Sequence, residues 1–199
     1  MVARAVLVLL AAFSTTPATP PSPCGVGMAQ MKRGDYASAQ QLLWQCVLSG
    51  PSKQTEGFYL GLTYRELKNY DDGLAKSAAA LKQSPENVDL LYLAAFLHYR
   101  KNETKESMTL LSRAYHIAPN DWRIHQLFAL NYALFLMPSA VEMELKTAIR
   151  LNPNNAELHY QLGRFYFSEQ HFQKSIDEIN RAIVIAPDYP KAYDSLGLA

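Results

Sequence analysis

The sequence predicts an all-α protein, an α-solenoid in which antiparallel helix pairs stack along one axis. Three observations support this fold class. Prolines recur at a fixed interval of 34 residues, small side chains recur in step with them, and apolar residues between them keep the three- and four-residue spacing of amphipathic helices. A fixed period of this length is typical of stacked supersecondary units, each of which buries its apolar face against its neighbours.

The prolines mark the boundary between one repeat and the next. The series is Pro51, Pro85, Pro119, Pro153 and Pro187. Because proline has no N–H to donate and a fixed backbone angle, each of them is expected to end a helix. Two residues later stand Asn87, Asp121 and Asn155, whose side chains are suited to cap the next helix. Each period should therefore begin with a capped helix.

Small residues occupy two further positions of every period. Ten residues after the prolines stand Gly61, Ala95, Ala129, Gly163 and Gly197. Twenty-nine residues after them stand Ala80, Ala114, Ala148 and Ala182. Side chains of this size let two helix axes approach closely, so each period is predicted to contain two tightly packed helices.

Two segments carry a family resemblance: "HYQLGRFYFSEQHFQKSIDEINRAIVIAP" from His159 and "FYLGLTYRELKNYDDGLAKSAAALKQSP" from Phe58. Their Leu-Gly, aromatic, alanine and proline positions resemble the tetratricopeptide repeat (TPR), and the resemblance implies a right-handed superhelix. On this pattern the TPR array covers residues 24–199. The repeats are a divergent one at 20–53, four regular ones at 54–87, 88–121, 122–155 and 156–189, and a truncated one at 190–199.

Two repeats depart from the family pattern. In the fourth, Pro138 replaces an aromatic residue and no polar turn precedes it. Proline is compatible with the first turn of a helix, so we expect the second helix to begin there after a locally altered turn. The divergent first repeat is crowded by prolines, which predicts a short first helix.

The first residues differ from the array. Residues 5–13 are wholly apolar, Arg4 is the only charge before residue 24, and a proline-rich stretch follows. We predict a signal peptide at 1–19 and a Pro-rich linker at 20–23, and hence export to the periplasm or the exterior. Without a functional leader the location would be cytoplasmic. Nine apolar residues fall well short of the roughly 20 that a membrane-spanning helix needs, so no stable membrane span is expected.

Cys24 and Cys46 are the two cysteines of the chain. Cys24 lies near the start of the first predicted helix and Cys46 near the end of the second, and antiparallel helices bring those ends together. One hypothesis is a disulfide that stabilises the first repeat by roughly 3 kcal/mol. The alternative is that Cys46, which replaces the repeated alanine, is a buried, unpaired small side chain.

Composition and motifs argue against several function classes. A formal net charge of +1 gives no surplus for binding nucleic acid. No nucleophile, phosphate-loop or zinc-protease motif occurs, and the equivalent positions of His125 and His159 favour packing over metal binding. We therefore predict no catalytic residues, no metal, no cofactor and no enzymatic activity.

A candidate binding surface follows from the resemblance. In the family, the concave face takes the residues seven, eleven and fourteen places after each proline. Here these are Phe58, Leu62, Arg65, Tyr92, Phe96, Tyr99, Gln126, Leu130, Ala133, Tyr160, Arg164 and Phe167. Aromatic and arginine side chains are common energetic anchors of interfaces, so a peptide or a partner helix with apolar side chains is the expected ligand. The family's carboxylate clamp is not matched.

Two functions stay open. The first is a non-catalytic protein–protein interaction scaffold in an extracytoplasmic assembly or secretion process. The alternative is a TPR interaction or regulatory segment of a longer enzyme or signalling protein, truncated at residue 199. An apolar run at 196–198 also suggests self-association through the C-terminal edge, since repeat arrays normally finish with a polar cap.

Overall fold

The computed structural model describes residues 22–49 and 56–197, and within these ranges it contains eleven α-helices and no strand. The predicted signal peptide, the first part of the linker and Pro51 lie outside the described residues. The helices are α1 (Pro23–Lys32), α2 (Tyr36–Ser49), α3 (Glu56–Leu67), α4 (Tyr70–Gln83), α5 (Val88–Arg100), α6 (Thr104–Ile117), α7 (Trp122–Leu134), α8 (Pro138–Leu151), α9 (Ala156–Ser168), α10 (Phe172–Ile185) and α11 (Pro190–Leu196).

The helices occur in pairs that follow the predicted repeats. Each full repeat contains two of them, and α11 lies in the last, partial repeat. The start of the array differs slightly from the prediction. Ser22 and Pro23, assigned to the linker, are the N-cap and the first residue of α1, where proline's missing N–H costs no hydrogen bond. With ten residues, α1 is shorter than every other first helix of a full repeat, which confirms the expected short helix.

The residues two places after the prolines cap the following helices. Asn87, Asp121 and Asn155 stand at the N-cap positions of α5, α7 and α9, and each side chain accepts a backbone N–H of the first turn at 3.1, 3.0 and 3.1 Å. These N–H groups have no partner within a helix, so the cap satisfies donors that would otherwise be unpaired. The predicted caps are confirmed.

The turns between the two helices of each repeat share one geometry. One residue in each adopts a left-handed backbone, and these residues stand one period apart: Gly34, Lys68, Asn102, Leu136 and Gln170, with φ of 84°, 55°, 63°, 55° and 60°. Pro138 is the first residue of α8, as predicted. Our prediction of an altered turn ahead of Pro138 is wrong. This turn keeps the left-handed backbone of the other repeats, although leucine occupies the left-handed position.

Small residues close the helix pairs of the later repeats. The alanines Ala114, Ala148 and Ala182 are fully buried. A Cβ atom added to Gly163 would lie 2.7 Å from Ile179 Cγ1, closer than such atoms pack. The backbones of α9 and α10 therefore meet at a spacing that only glycine permits there.

The second repeat departs from this arrangement. Gly61 was predicted to close the pair with α4, but a Cβ added there would lie 3.0 Å from Phe96 of α5. At Gly57 it would lie 2.9 Å from the backbone oxygen of Asp89. The two glycines bring α3 against α5, and α3 makes few contacts with α4. As a result α4 stands away from α2, and a cleft separates these two helices.

The first repeat is cross-linked. Cys24 and Cys46 form a disulfide between α1 and α2, with Cα atoms 5.6 Å apart. The side chains of α2 continue into the main core, where Trp44 donates a hydrogen bond to the Tyr64 hydroxyl at 2.6 Å. Within the described parts of the chain, no helix has both the length and the apolar character needed to cross a membrane.

Candidate binding groove

A groove of about 920 Å³ runs along the first helices of successive repeats, α3, α5 and α7, and reaches the loop before α9. Its volume exceeds that of the cleft between α2 and α4, which is about 500 Å³. Eight of the predicted site residues line it: Phe58, Leu62, Arg65, Tyr92, Phe96, Tyr99, Gln126 and Leu130. The structure thus gathers the predicted residues of three repeats around one space.

Besides Ala133, three predicted site residues lie outside the groove. Tyr160 is buried edge-on against Tyr189, with ring centroids 5.3 Å apart, and the Arg164 guanidinium carbon lies 6.0 Å from the centroid of the Tyr160 ring. Phe167 packs edge-on against Phe172 at 5.7 Å. None of the three lines the groove. In the last regular repeat these positions form local aromatic contacts instead.

One end of the groove is aromatic. The ring centroids of Phe58 and Trp122 lie 5.5 Å apart, and those of Phe58 and Tyr59 5.6 Å apart, so α3 and the start of α7 meet here. Sequence reasoning missed Tyr59 and Trp122, because neither falls in the register that the family uses. The half-buried Trp122 at the first position of α7 was an available signal, since large aromatic rings are enriched at interfaces.

The predicted apolar residues of the groove form a floor and walls. Tyr92 and Phe96 are only 2% and 8% exposed and belong to the main core cluster. Burial raises the pKa of the Tyr92 hydroxyl well above its ordinary value, so this floor stays neutral. Leu62, Tyr99 and Leu130 are half-buried and form the walls. Only the walls can be altered without opening the core.

The other end of the groove is polar. It is lined by amide side chains from the loop before α9 and from α9 itself: Asn152, Asn154, Asn155 and Gln161. Primary amides both donate and accept hydrogen bonds, which suits the main chain of an extended segment. Glu157 also lines this end, and its carboxylate accepts hydrogen bonds from Gln161 at 2.8 Å and from the Tyr189 hydroxyl.

A buried ion cluster holds the start of α7 against α5. Arg123 donates to Asp89 at 2.5 Å and to Asp121 at 2.5 and 2.9 Å, and all three side chains are at most 1% exposed. Burial alone would lower the pKa of the guanidinium. The hydrogen bonds and charges of the two carboxylates have the larger effect and raise that pKa, so Arg123 stays charged. The cluster fixes the helix turn that carries Trp122 into the groove.

This cluster follows a charge pattern that the sequence already contains. Asp89, Arg123, Glu157 and Lys191 stand one period apart and alternate in sign. Sequence reasoning missed the series, although the 34-residue register exposes it. Opposite charges at equivalent positions of neighbouring repeats can pair across the repeat interface, as Asp89 and Arg123 do.

The two histidines at equivalent positions have structural contacts. His125 Nδ1 lies 2.6 Å from Glu144, and its Nε2 lies 2.9 Å from the Pro119 carbonyl oxygen. His159 repeats the arrangement with Glu178 at 2.7 Å and the Pro153 carbonyl at 3.1 Å. Each ring joins the loop before its helix to the second helix of the repeat. The described residues contain no group of three or more potential metal ligands.

Stacked helix pairs with a groove along their first helices define the class of α-solenoid interaction modules. Profiles of the tetratricopeptide repeat match residues 64–130 and 144–177, together about half of the chain. The chain belongs to the tetratricopeptide repeat family.

Solved structures of similar fold agree with this assignment. A thermophilic TPR protein from Thermus thermophilus superposes with a TM-score of 0.73 at 20% identity, over 89% of this chain and 98% of that one. YrrB, a TPR protein with an unusual peptide-binding site, gives 0.57 at 20% identity, over 87% and 89%. The APC/C hetero-tetramer Cut9–Hcn1 gives 0.67 at 15% identity, over 88% and 35%.

The curated relatives are much longer than this chain. A TPR repeat-containing protein of Methanocaldococcus jannaschii is 22% identical over 159 residues, which are 80% of this chain and 28% of the relative. The DnaJ homolog subfamily C member 3 of Gallus gallus is 22% identical over 167 residues, 84% of this chain and 29% of the relative. The chain thus spans under a third of the length of these two proteins.

Proposed function

We propose that this protein is a non-catalytic interaction scaffold that binds an apolar segment of a peptide or partner helix in the groove. The observation that carries the proposal is the pairing of Phe58 with Trp122 above a floor of Tyr92 and Phe96. Half-buried aromatic rings around a concave space offer apolar area that a ligand side chain can cover, and burying one such side chain is worth about 1.5–3 kcal/mol.

The polar end supports a ligand that lies along the groove. A segment that fills the aromatic end with an apolar side chain and continues along the groove would bring its main chain to Asn152 and Asn154 at the other end. The amides of these residues can pair with peptide N–H and C=O groups. Pairing matters because a peptide group buried without a partner costs free energy. A short segment with one large apolar side chain fits both ends.

Selection from a display library of random peptides, followed by titration of the selected peptides, tests the groove. Binding should change the fluorescence of Trp122, and Leu62→Asp or Leu130→Asp should weaken it at least about tenfold by placing a carboxylate on the groove wall. Val184→Asp is the matched control, because Val184 is 80% exposed on α10, outside the groove. Equal loss in all three variants, or none in any, would refute groove binding.

We further propose that the scaffold acts outside the cytoplasm, in an assembly or secretion process. The support is the disulfide between Cys24 and Cys46, which uses both cysteines of the chain, since such bonds persist mainly in oxidising compartments. Mass spectrometry of the native, alkylated protein should find the leader removed and both thiols protected. Two alkylated cysteines on a chain that still begins at Met1 would refute the location.

A second proposal is that these repeats are the interaction segment of a longer enzyme or signalling protein. The observation that favours it is the length of the two curated relatives, of which the chain covers 28% and 29%. Sequencing the full transcript decides between the proposals. An in-frame extension that encodes another domain would support the second, and a stop codon after Ala199 would remove it.

A further inference from the structure

The connection between α7 and α8 presents apolar side chains to solvent. At the end of α7 and in the turn that leads to α8, Leu134, Phe135, Leu136 and Met137 are 47%, 51%, 87% and 49% exposed. We call residues 134–137 the apolar turn. The equivalent places of the other repeats read KRGD, ELKN, RKNE and SEQH, all of them polar or charged in most positions. The fourth repeat is therefore unlike its neighbours at this edge of the array.

The apolar turn has no evident role in stability. Leu136 has a φ of 55° although the left-handed conformation disfavours leucine by roughly 1–2 kcal/mol, and its side chain packs on little of the protein. Polar residues or glycine hold the same backbone in the other four turns. A strained residue that exposes apolar surface is the kind of feature that interaction sites retain.

The chemistry of the apolar turn favours a protein pocket as its partner. No charged residue occurs from 133 to 141. Loops that bind anionic membrane surfaces combine apolar tips with lysine or arginine that can reach the lipid. Residues 133–141 contain neither, and Lys101 of the preceding turn is paired with Asp71 and Glu103. An uncharged, protruding turn fits best into an uncharged apolar cleft.

The same chain carries such a cleft at the other end of the array. It lies between α2 and α4, where α4 stands away from α2, and has a volume of about 500 Å³. We call it the α2–α4 cleft. Trp44, Leu48, Ala79 and Ala80 supply its apolar lining. Its one charged side chain, Lys76, is paired with Asp72 at 2.9 Å, so the cleft presents little net charge to an uncharged ligand.

We propose that the apolar turn of one copy of this chain docks into the α2–α4 cleft of a second copy. The two surfaces belong to the fourth repeat and to the first two repeats, with the third repeat between them, so they pair between molecules and not within one. A contact between two different surfaces of identical chains leaves one of each surface free at the ends. The result is head-to-tail association that continues beyond the dimer.

Net charge does not oppose this association. The formal charge of +1 implies little long-range repulsion between copies, and the contact itself is driven by burial of apolar surface. The proposed contact is distinct from the C-terminal edge, which stays a separate prediction for self-association, and from the groove, which stays free to bind peptide.

Two complementary variants test the proposal. Leu136→Asp disables the apolar turn and leaves the cleft intact, whereas Leu48→Glu combined with Ala79→Glu disables the cleft and leaves the turn intact. All three positions are solvent-exposed, so each variant should fold with the helical content of the parent protein. Phe135→Ser is a second turn variant that leaves the left-handed residue unchanged.

Sedimentation equilibrium over a range of concentrations gives the readout. The parent protein should exceed the mass of a dimer at high concentration, and each variant alone should weaken association at least about tenfold. An equimolar mixture of the two variants retains one intact turn and one intact cleft, and should stop at a dimer. Val184→Asp, on an exposed face of α10, should associate like the parent.

Three results would overturn the proposal. The parent protein could stay monomeric at every concentration, or association could survive both variants. The mixture of variants could also fail to form a dimer, which would show that turn and cleft do not recognise each other. Peptide binding in the groove is measured separately, so none of these results bears on the function proposed above.

Discussion

Arg123 and Asp89 stand one 34-residue period apart, and their side chains form a buried ion pair with Nη1 and Oδ1 2.5 Å apart. Arg123 also pairs with Asp121, the N-cap of the same helix. The guanidinium therefore ties the first helices of two neighbouring repeats together and anchors the cap of one of them. The cluster also contacts the floor of the groove, where the Arg123 guanidinium carbon is 5.1 Å from the centroid of the Tyr92 ring.

Replacing Arg123 with alanine should lower the free energy of unfolding by about 3–5 kcal/mol, because two carboxylates would stay buried without their cation. Urea denaturation followed by circular dichroism measures the loss. Lys76→Ala is the matched control: it removes one partner of an exposed pair with Asp72, and should cost less than about 1 kcal/mol. Similar costs for the two variants would show that Arg123 does not hold the repeats together.

The period of the array could be predicted because local rules fix it. A proline ends a helix and an asparagine or aspartate caps the next through atoms only a few residues apart, so Asn87, Asp121 and Asn155 could be assigned from spacing alone. The Asp89–Arg123 pair was also accessible, since charges of opposite sign at equivalent positions of two repeats are visible in the sequence.

Other features depend on contacts that no local rule specifies. Gly57 lies outside every small-residue register, yet it brings α3 against Asp89 and draws that helix away from α4. The polar end of the groove comes from the loop before α9, which lies near helices distant in sequence. The predicted residues of α9 make local contacts instead, Tyr160 with Tyr189 and Phe167 with Phe172, and helical register alone does not reveal these partners.

Replacing glycine with alanine should have opposite effects on stability at two positions. Gly163→Ala should destabilise the protein by about 1–3 kcal/mol, since the new Cβ would lie 2.7 Å from Ile179 and 3.2 Å from the Ser175 carbonyl oxygen. Gly25→Ala meets only Ser22 Oγ at 3.5 Å and should stabilise α1 by about 0.5–1 kcal/mol. Denaturant midpoints of the two variants provide the measurement. A neutral Gly163→Ala would contradict the close approach of α9 and α10.

Leu136→Asn should raise the free energy of unfolding by up to about 1 kcal/mol, because asparagine tolerates the left-handed conformation better than leucine does. The measurement is thermal unfolding at a low protein concentration, where self-association contributes least. Phe135→Asn is the control, since Phe135 has a φ of −87° and gains nothing from asparagine. Equal stabilisation by both variants would point to removal of exposed apolar surface and not to relief of backbone strain.

His125 and His159 should make stability depend on pH near neutrality. Each ring lies between a carboxylate and a proline carbonyl, and only the protonated imidazole can donate to both. Burial lowers the pKa of His125, but its two hydrogen bonds outweigh burial and raise that pKa. The hydrogen bond with Glu178 raises the pKa of His159 despite burial.

Because both pKa values in the folded protein exceed the value near 6.5 of an unfolded chain, the two histidines stabilise the fold fully below about pH 6.5. That contribution is lost as the pH rises through the folded pKa values. Denaturant unfolding between about pH 5.5 and pH 8.5, a range that brackets the titration of imidazole, measures this effect. The free energy of unfolding should fall as the pH rises. The double variant His125→Gln, His159→Gln should flatten this dependence, whereas His171→Gln, at an exposed ring, should retain it. A slope unchanged in the double variant would assign the pH dependence to other groups.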